Sequence, residues 1–291
     1  MPKAFFDYLV FEKHLSKHTI AAYKTDLNQF NAFCENQKID NLLSVNSKDI
    51  RRWIIFLLNA NTNPTTVHRK LSSLKAYYSF LQREGSIKEN PAADAILPKK
   101  TKKLPQFIKE NEVDDLFDAS FFTNDFEGIR DRNILHLFYL TGMRRQELID
   151  LKVEDLDINR NVISITGKRN KMRYVPLPKW LIDQLVDYSK VRNDMTLNNH
   201  HYLFVTNKGK QLYPKLVYRI VNYYVSRVST INKRSPHILR HTFATQMLNA
   251  GADLNAIKEL LGHANLSATE VYTHNSFQKL KKTYNQAHPR A

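Results

Sequence analysis

Cleaving a phosphodiester without a metal needs cationic donors around the non-bridging oxygens, a nucleophile, and an acid for the departing oxygen. The second half of this chain holds side chains of those types. They are Arg144 in Thr141-Gly-Met-Arg-Arg-Gln-Glu-Leu148, Lys168 in Gly167-Lys-Arg-Asn-Lys171, and His237 and Arg240 in Pro236-His-Ile-Leu-Arg-His241. His263 in Leu260-Leu-Gly-His263 and Tyr272 in Val271-Tyr-Thr-His274 complete the set. Each also has a plainer use. Arg144 follows Gly142 where a helix ends, so it could cap carbonyls or pair with Glu147 at i+3. Lys168 could be a solvated turn lysine, His263 a helix-end histidine, and Tyr272 a core aromatic with its hydroxyl bonded nearby.

His237 and His241 lie four apart and invite a zinc reading, which the neighbours oppose. The metalloprotease form H-E-x-x-H needs Glu second, where Ile238 stands, and Arg240 between the pair would repel a cation. The i, i+3 spacing instead puts His237 and Arg240 on one helical face, where both can converge on one anion.

Elements must hold these groups. The first hundred residues read as helices only, a four-helix unit. A short helix near residues 2–14 precedes one on which Ile20, Tyr23, Leu27, Phe30 and Cys34 share a face. Asn46-Ser47 caps a third carrying Ile50, Trp53 and Leu57; Asn63-Pro64 opens a fourth with Val67, Leu71, Leu74, Tyr78 and Leu81 in register until Gly85. Lys17, Lys24, Arg51, Arg69, Lys70 and Lys75 are read as lying on exposed faces of this unit, available to a DNA backbone or merely solvated. A basic linker over 91–105, rich in Pro and Lys, follows a first domain of 1–90. The rest, 106–291, is mainly helical. Within it Val162–Ile165 and Met172–Pro176 form an antiparallel hairpin with a cationic tip, Arg169 and Lys171 beside Lys168, and Arg173 follows as a further DNA-binding candidate. A short amphipathic helix closes the chain at about 277–285.

Composition narrows the class. The chain has 291 residues, 42% hydrophobic and 25% charged, with a formal net charge of +16. That is a folded two-domain chain with a surplus favouring a polyanionic partner, since neutralising phosphates releases counterions. Its seven glycines are too far apart for G-x-G-x-x-G or G-x-x-x-x-G-K-[ST], which removes the common nucleotide-cradling loops. One cysteine, Cys34, closes no intramolecular disulfide and builds no Cys-based metal site, as suits a reducing cytosol. No secretory leader or membrane span is read.

The five motifs, in this order, resemble those of the tyrosine recombinase/integrase family, most closely its Xer-type site-specific recombinases. Leu15-Ser-Lys-His-Thr-Ile-Ala-Ala-Tyr-Lys-Thr-Asp-Leu27 is similar to the start of their core-binding domain. The resemblance implies a two-domain C-shaped DNA clamp, mainly α with a small antiparallel sheet: a helical SAM-like core-binding domain and an α+β catalytic domain. It implies that Tyr272 attacks the scissile phosphate to form a 3′-phosphotyrosine while Lys168 protonates the departing 5′ oxygen. Arg144 and Arg240 would clamp the phosphate, His263 would add a donor, and His237 would be the acid/base partner of the tyrosine. Glu147 and His241 would support these groups. The chemistry agrees, because a phenol of pKa ~10 needs a cationic, partly dry site to become a nucleophile at neutral pH. Bond energy kept in the phosphotyrosine means that no ATP, metal or other cofactor is expected.

The resemblance further implies double-stranded DNA with a dif-type site as substrate and a Holliday-junction intermediate. Four protomers, alike or paired with a paralogous recombinase, would assemble on two duplexes, the C-terminal helix docking onto a neighbour. Chromosome-dimer resolution before cell division, with the cell-division DNA translocase as partner and a cytoplasmic, nucleoid-associated location, is the first expectation. A small mobile-element integrase, a DNA invertase, type IB topoisomerase-like relaxation and a site-specific DNA-binding accessory factor are the alternatives. Departures from the family pattern are Arg169 where Gly is usual, Arg145 and Gln146 after Arg144, and Gln246 where many relatives have His. They bear on substrate preference more than on activity.

Overall fold

A computed structural model describes residues 3–39, 41–99, 106–167, 171–195, 201–262 and 274–290. The chain divides into two compact units, Met1–Leu104 and Pro105–Ala291.

In the first unit, α1 (Lys3–Asp7) runs into a π-helical turn (Tyr8–Glu12), so the single opening helix read from sequence is two pieces. Capping then sets the next three. The Ser16 hydroxyl accepts from the Thr19 N–H ahead of α2 (Lys17–Asn36). Asn46 and Asp49 form a reciprocal capping box on α3 (Ser47–Asn59), and Asn63 with Pro64 starts α4 (Pro64–Arg83). Their apolar faces meet around Phe30, Trp53, Leu71 and Tyr78, with the Phe30 and Trp53 rings edge to face at 5.0 Å. Ala92 is buried in this core and Ala95 and Leu97 pack on it, so part of the proline-rich stretch belongs to the unit.

Asp26 is buried between α2 and α4 and accepts from Ser73 (2.8 Å), Lys70 (3.2 Å) and Arg69. Lys70, read above as an exposed DNA contact, is therefore 6% exposed and pairs inside the unit. A buried carboxylate demands that partner.

The second unit holds α5 (Glu110–Leu116), α6 (Phe126–Thr141) and α7 (Arg145–Asp150), then a three-stranded antiparallel sheet. The strands β1 (Leu156–Asp157), β2 (Val162–Thr166) and β3 (Met172–Pro176) lie in sequence order, with Ile165 opposite Arg173. Next come α8 (Lys179–Met195), α9 (Pro214–Val228), α10 (Pro236–Asn249), α11 (Leu254–Leu261) and α12 (His274–Ala287). The fold is mainly α with a small antiparallel sheet. Helix α6 is buried on nearly every side between α8 and α10. Leu280, Tyr284 and Ala287 of α12 are buried in the same core, against α10, α11 and β3. The chain end is held there too: the His288 imidazole bonds the Tyr139 carbonyl (3.3 Å) and Arg290 donates to Asp114 (2.6 Å).

Candidate active site

Helix α6 ends at Gly142 in the left-handed region (φ 57°), its N–H bonded to the Phe138 carbonyl. Any side chain there is both strained and crowded, because a Cβ would lie 2.6 Å from Leu261 Cδ2 and 2.7 Å from Phe243 Cδ1. Tight passage between α10 and α11 aims the next residues at the end of α11. Arg144, at the N-cap of α7, donates its backbone N–H to Glu147 Oε2 (2.8 Å) and a guanidinium N–H to Glu147 Oε1 (2.7 Å). A second guanidinium N–H reaches the Gly262 carbonyl at 3.1 Å. The carbonyl-capping and Glu147-pairing uses read from sequence are both present, and they hold a side chain that is still 30% exposed.

Arg240, on α10, donates to the Gly142 carbonyl (2.6 Å) and the Leu261 carbonyl (2.8 Å). Arg173 donates to the Leu260 carbonyl (2.7 Å) and twice to Glu147 (3.2 and 2.8 Å). Thus Leu260, Leu261 and Gly262, consecutive carbonyls at the negative end of α11, are each taken by a different guanidinium. Gly262 has φ 65°, and a Cβ on it would stand 3.0 Å from Arg173 Nη1. His263 is the next residue in the chain.

The electrostatics follow from this crowding. Burial pushes the Glu147 carboxyl up, but the hydrogen bond and charge of Arg173, with the two bonds from Arg144, outweigh it and hold the group below its ordinary value. Burial, then the charge of Arg144, pushes Arg240 down to about 10, so it keeps its proton at neutral pH. His237, in the first turn of α10, is lowered by desolvation and then by the charges of Arg240, Arg145 and Arg144. Its imidazole is neutral near pH 7 and can take a proton. His241 lies one turn on, half-buried, its ring edge-on to Phe107 at 6.4 Å. Among the described residues, no group of three or more His, Cys, Asp or Glu could hold a metal ion.

The structure thus brings together Arg144, Glu147, Arg240 and His237. Lys168, Arg169, His263 and Tyr272 lie outside the described residues. Of the candidate DNA contacts, Lys17, Lys24, Arg51, Arg69 and Lys171 are exposed, and Lys75 is half-buried with its ammonium on the Ala93 carbonyl at 2.7 Å. Arg173 is corrected: at 4% exposure it is a buried brace, not a surface contact, because β3 turns it inward with Val175. That alternation, Met172 and Tyr174 outward against Arg173 and Val175 inward, was the available signal. Arg145, whose charge bears on His237, had been noted only as a departure from pattern.

Residues 106–279 match the phage integrase family, and residues 3–85 match the phage integrase N-terminal SAM-like domain. The tyrosine recombinase XerC of Staphylococcus epidermidis is 40% identical over 289 residues, covering 99% of this chain and 97% of that protein. XerC of Chlorobaculum parvum is 37% identical over 314 residues, 99% and 94% of the two chains. Among solved structures, XerH recombinase bound to its difH substrate aligns with TM-score 0.71 at 24% identity, over 90% of this chain and 78% of that one. The Tn1549 transposon integrase with transposon right-end DNA aligns with TM-score 0.70 at 19% identity, over 96% and 97%. These two share the fold. Two family matches that together span most of the chain, and full-length relatives at this identity, show that the chain belongs to the phage integrase family, as a Xer-type tyrosine site-specific recombinase.

Proposed function

We propose that this recombinase resolves chromosome dimers at a dif-type site through a 3′-phosphotyrosine intermediate and a Holliday junction. In the reaction the Tyr272 phenolic oxygen attacks the scissile phosphorus, and the bond to the 5′ oxygen breaks. Lys168 gives that oxygen a proton, so a 5′-hydroxyl leaves. Arg144, Arg240 and His263 stabilise charge on the non-bridging oxygens, and neutral His237 accepts the phenol proton. The 5′-hydroxyl of the other duplex then attacks the phosphotyrosine, and the tyrosine departs with a proton, so no external energy source enters.

The observation that carries this reading is the convergence of Arg144 and Arg240 on adjoining carbonyls at the end of α11, directly before His263. Both guanidiniums are fixed before substrate arrives, which is how an anion clamp avoids reorganisation during the reaction. The dif-type site and dimer resolution are supported by the relatives named XerC. With that role come a tetramer on two duplexes, a paralogous recombinase, the cell-division DNA translocase as partners, and residence at the nucleoid. Exchange of α12 between protomers would require it to leave the core described above.

The test is strand exchange between two labelled dif-type duplexes, with and without the organism's own second Xer-type protein. Branched junctions and exchanged products are expected. Relaxation of supercoiled DNA without exchange would mean topoisomerase-like activity, and binding without cleavage an accessory factor. Exchange only at the ends of a mobile element or between inverted repeats would assign the integrase or invertase role instead.

A further inference from the structure

Strand β3 turns an arginine inward where its companions on that face, Val175 and the opposed Ile165, are aliphatic. A buried guanidinium is costly unless every donor finds a partner, so its partners reveal its use. Here they lie on other elements. The Arg173 Nε–H goes to the Leu260 carbonyl at the end of α11, and Nη1 and Nη2 go to the two oxygens of Glu147 on α7. Glu147 in turn holds Arg144 by backbone and side chain. Gly262 leaves the space in which the guanidinium sits, a Cβ there coming within 3.0 Å of it. Gly167, the residue before Lys168, borders the same pair: its Cβ position is 3.5 Å from Glu147 Oε1 and 3.8 Å from Arg173 Nη1.

One planar fork therefore ties together three places that are remote in sequence. They are the strand that follows Lys168, the turn that carries Arg144, and the end of α11 that leads into His263. We propose that Arg173 is a positioning residue of the recombinase, setting through Glu147 and Leu260 the placement of Arg144 and of Gly167 and Gly262, the residues that precede Lys168 and His263 in the chain. This deepens the site proposed above and rests on that reading. Geometry excludes Lys as an equal substitute, since an ammonium offers a point charge and cannot hold one carbonyl and both carboxylate oxygens in a plane.

The test is single-turnover cleavage of a nicked dif-type duplex by wild type, Arg173→Lys, Arg173→Gln, Glu147→Gln and the double variant Arg173→Gln/Glu147→Gln. Duplex affinity and its salt dependence are measured alongside. Arg173→Gln is expected to lower the cleavage rate constant by roughly 100-fold, the scale of an ångström-sized misplacement. Arg173→Lys should recover part of that loss. Affinity and the fraction of enzyme finally trapped on DNA stay near wild type. The double variant should be no slower than the slower single, because both changes remove one brace.

Three results would overturn the proposal. Affinity that falls with a salt slope reduced by about one would make Arg173 a phosphate contact. A smaller trapped fraction at an unchanged rate constant in Arg173→Gln and Arg173→Lys would make it a folding residue only, and multiplicative losses in the double variant would separate it from Glu147. A wild type that forms no adduct overturns the site reading itself, which distinguishes the two failures.

Discussion

Arg240 donates to two carbonyls on different elements, and its removal undoes a junction in the fold together with the proposed clamp. Arg240→Ala should lower single-turnover cleavage by at least ~10²-fold, the scale of losing a preorganised donor to a developing oxyanion; near-normal cleavage would reject the clamp. Gly142→Ala forces a Cβ against Leu261 and Phe243 at a left-handed backbone. It should cost roughly 1 kcal/mol in backbone strain and a further ~1–3 kcal/mol in overpacking, read as a lower thermal midpoint. The His237 imidazole predicts a pH effect with a definite sign. Desolvation and then three arginines hold its pKa below the ordinary value, so the acid limb of cleavage lies below about 6.5. Arg145→Gln removes one of those charges, makes the protonated ring less unfavourable, and moves the limb upward; a limb that stays in place contradicts the assignment. The Arg144–Glu147 pair was legible from i, i+3 spacing. Lys70 was misread, although it lies three residues after Val67 and four before Leu74 and so falls in the buried phase of α4. Lys70→Ala should accordingly destabilise the first unit by roughly 1–3 kcal/mol, the scale of one charge-assisted bond, because Asp26 keeps Arg69 and Ser73, while leaving DNA affinity nearly intact.

Helix boundaries were legible wherever a cap marked them. Ser16, Asn46 and Asn63-Pro64 each stand where a helix begins. The two-residue β1 was missed, because a strand that short shows no alternation and exists only through its pairing with β2. The opening helix was read as one piece because a π-helical turn keeps nearly the same apolar phase as an α-helix. For the closing helix, the phase of Leu280 and Tyr284 showed which face is apolar but not which chain covers it; in the structure it is buried in its own unit. Tyr284 tests that packing. Its ring is fully enclosed, and its hydroxyl finds no hydrogen-bond partner among the described residues. Tyr284→Phe should therefore be neutral or stabilising, whereas Tyr284→Ala should cost about 3–5 kcal/mol through the cavity it leaves. Comparable losses in both variants, measured by denaturant unfolding, would mean that the hydroxyl matters and the cavity does not.

At the scale of the whole molecule, order and spacing of motifs carried the functional class, while charge announced only the partner. A surplus of +16 implies DNA binding that weakens steeply with salt. It says nothing of the bases, because phosphate contacts carry no sequence information. The arginine cluster was only half legible: the motifs supplied Arg144 and Arg240, but the carbonyls of Gly142, Leu261 and Gly262 that hold them are backbone groups with no signature beyond two glycines. The central claim is that Tyr272 is the nucleophile of a metal-free strand transfer. It is tested most directly by incubating wild type and Tyr272→Phe with a nicked, labelled dif-type duplex, without metal or ATP, and resolving the products on a denaturing gel. A protein–DNA adduct with wild type alone, at equal DNA occupancy, is the predicted result; an adduct with Tyr272→Phe, or none with wild type on bound DNA, would contradict it.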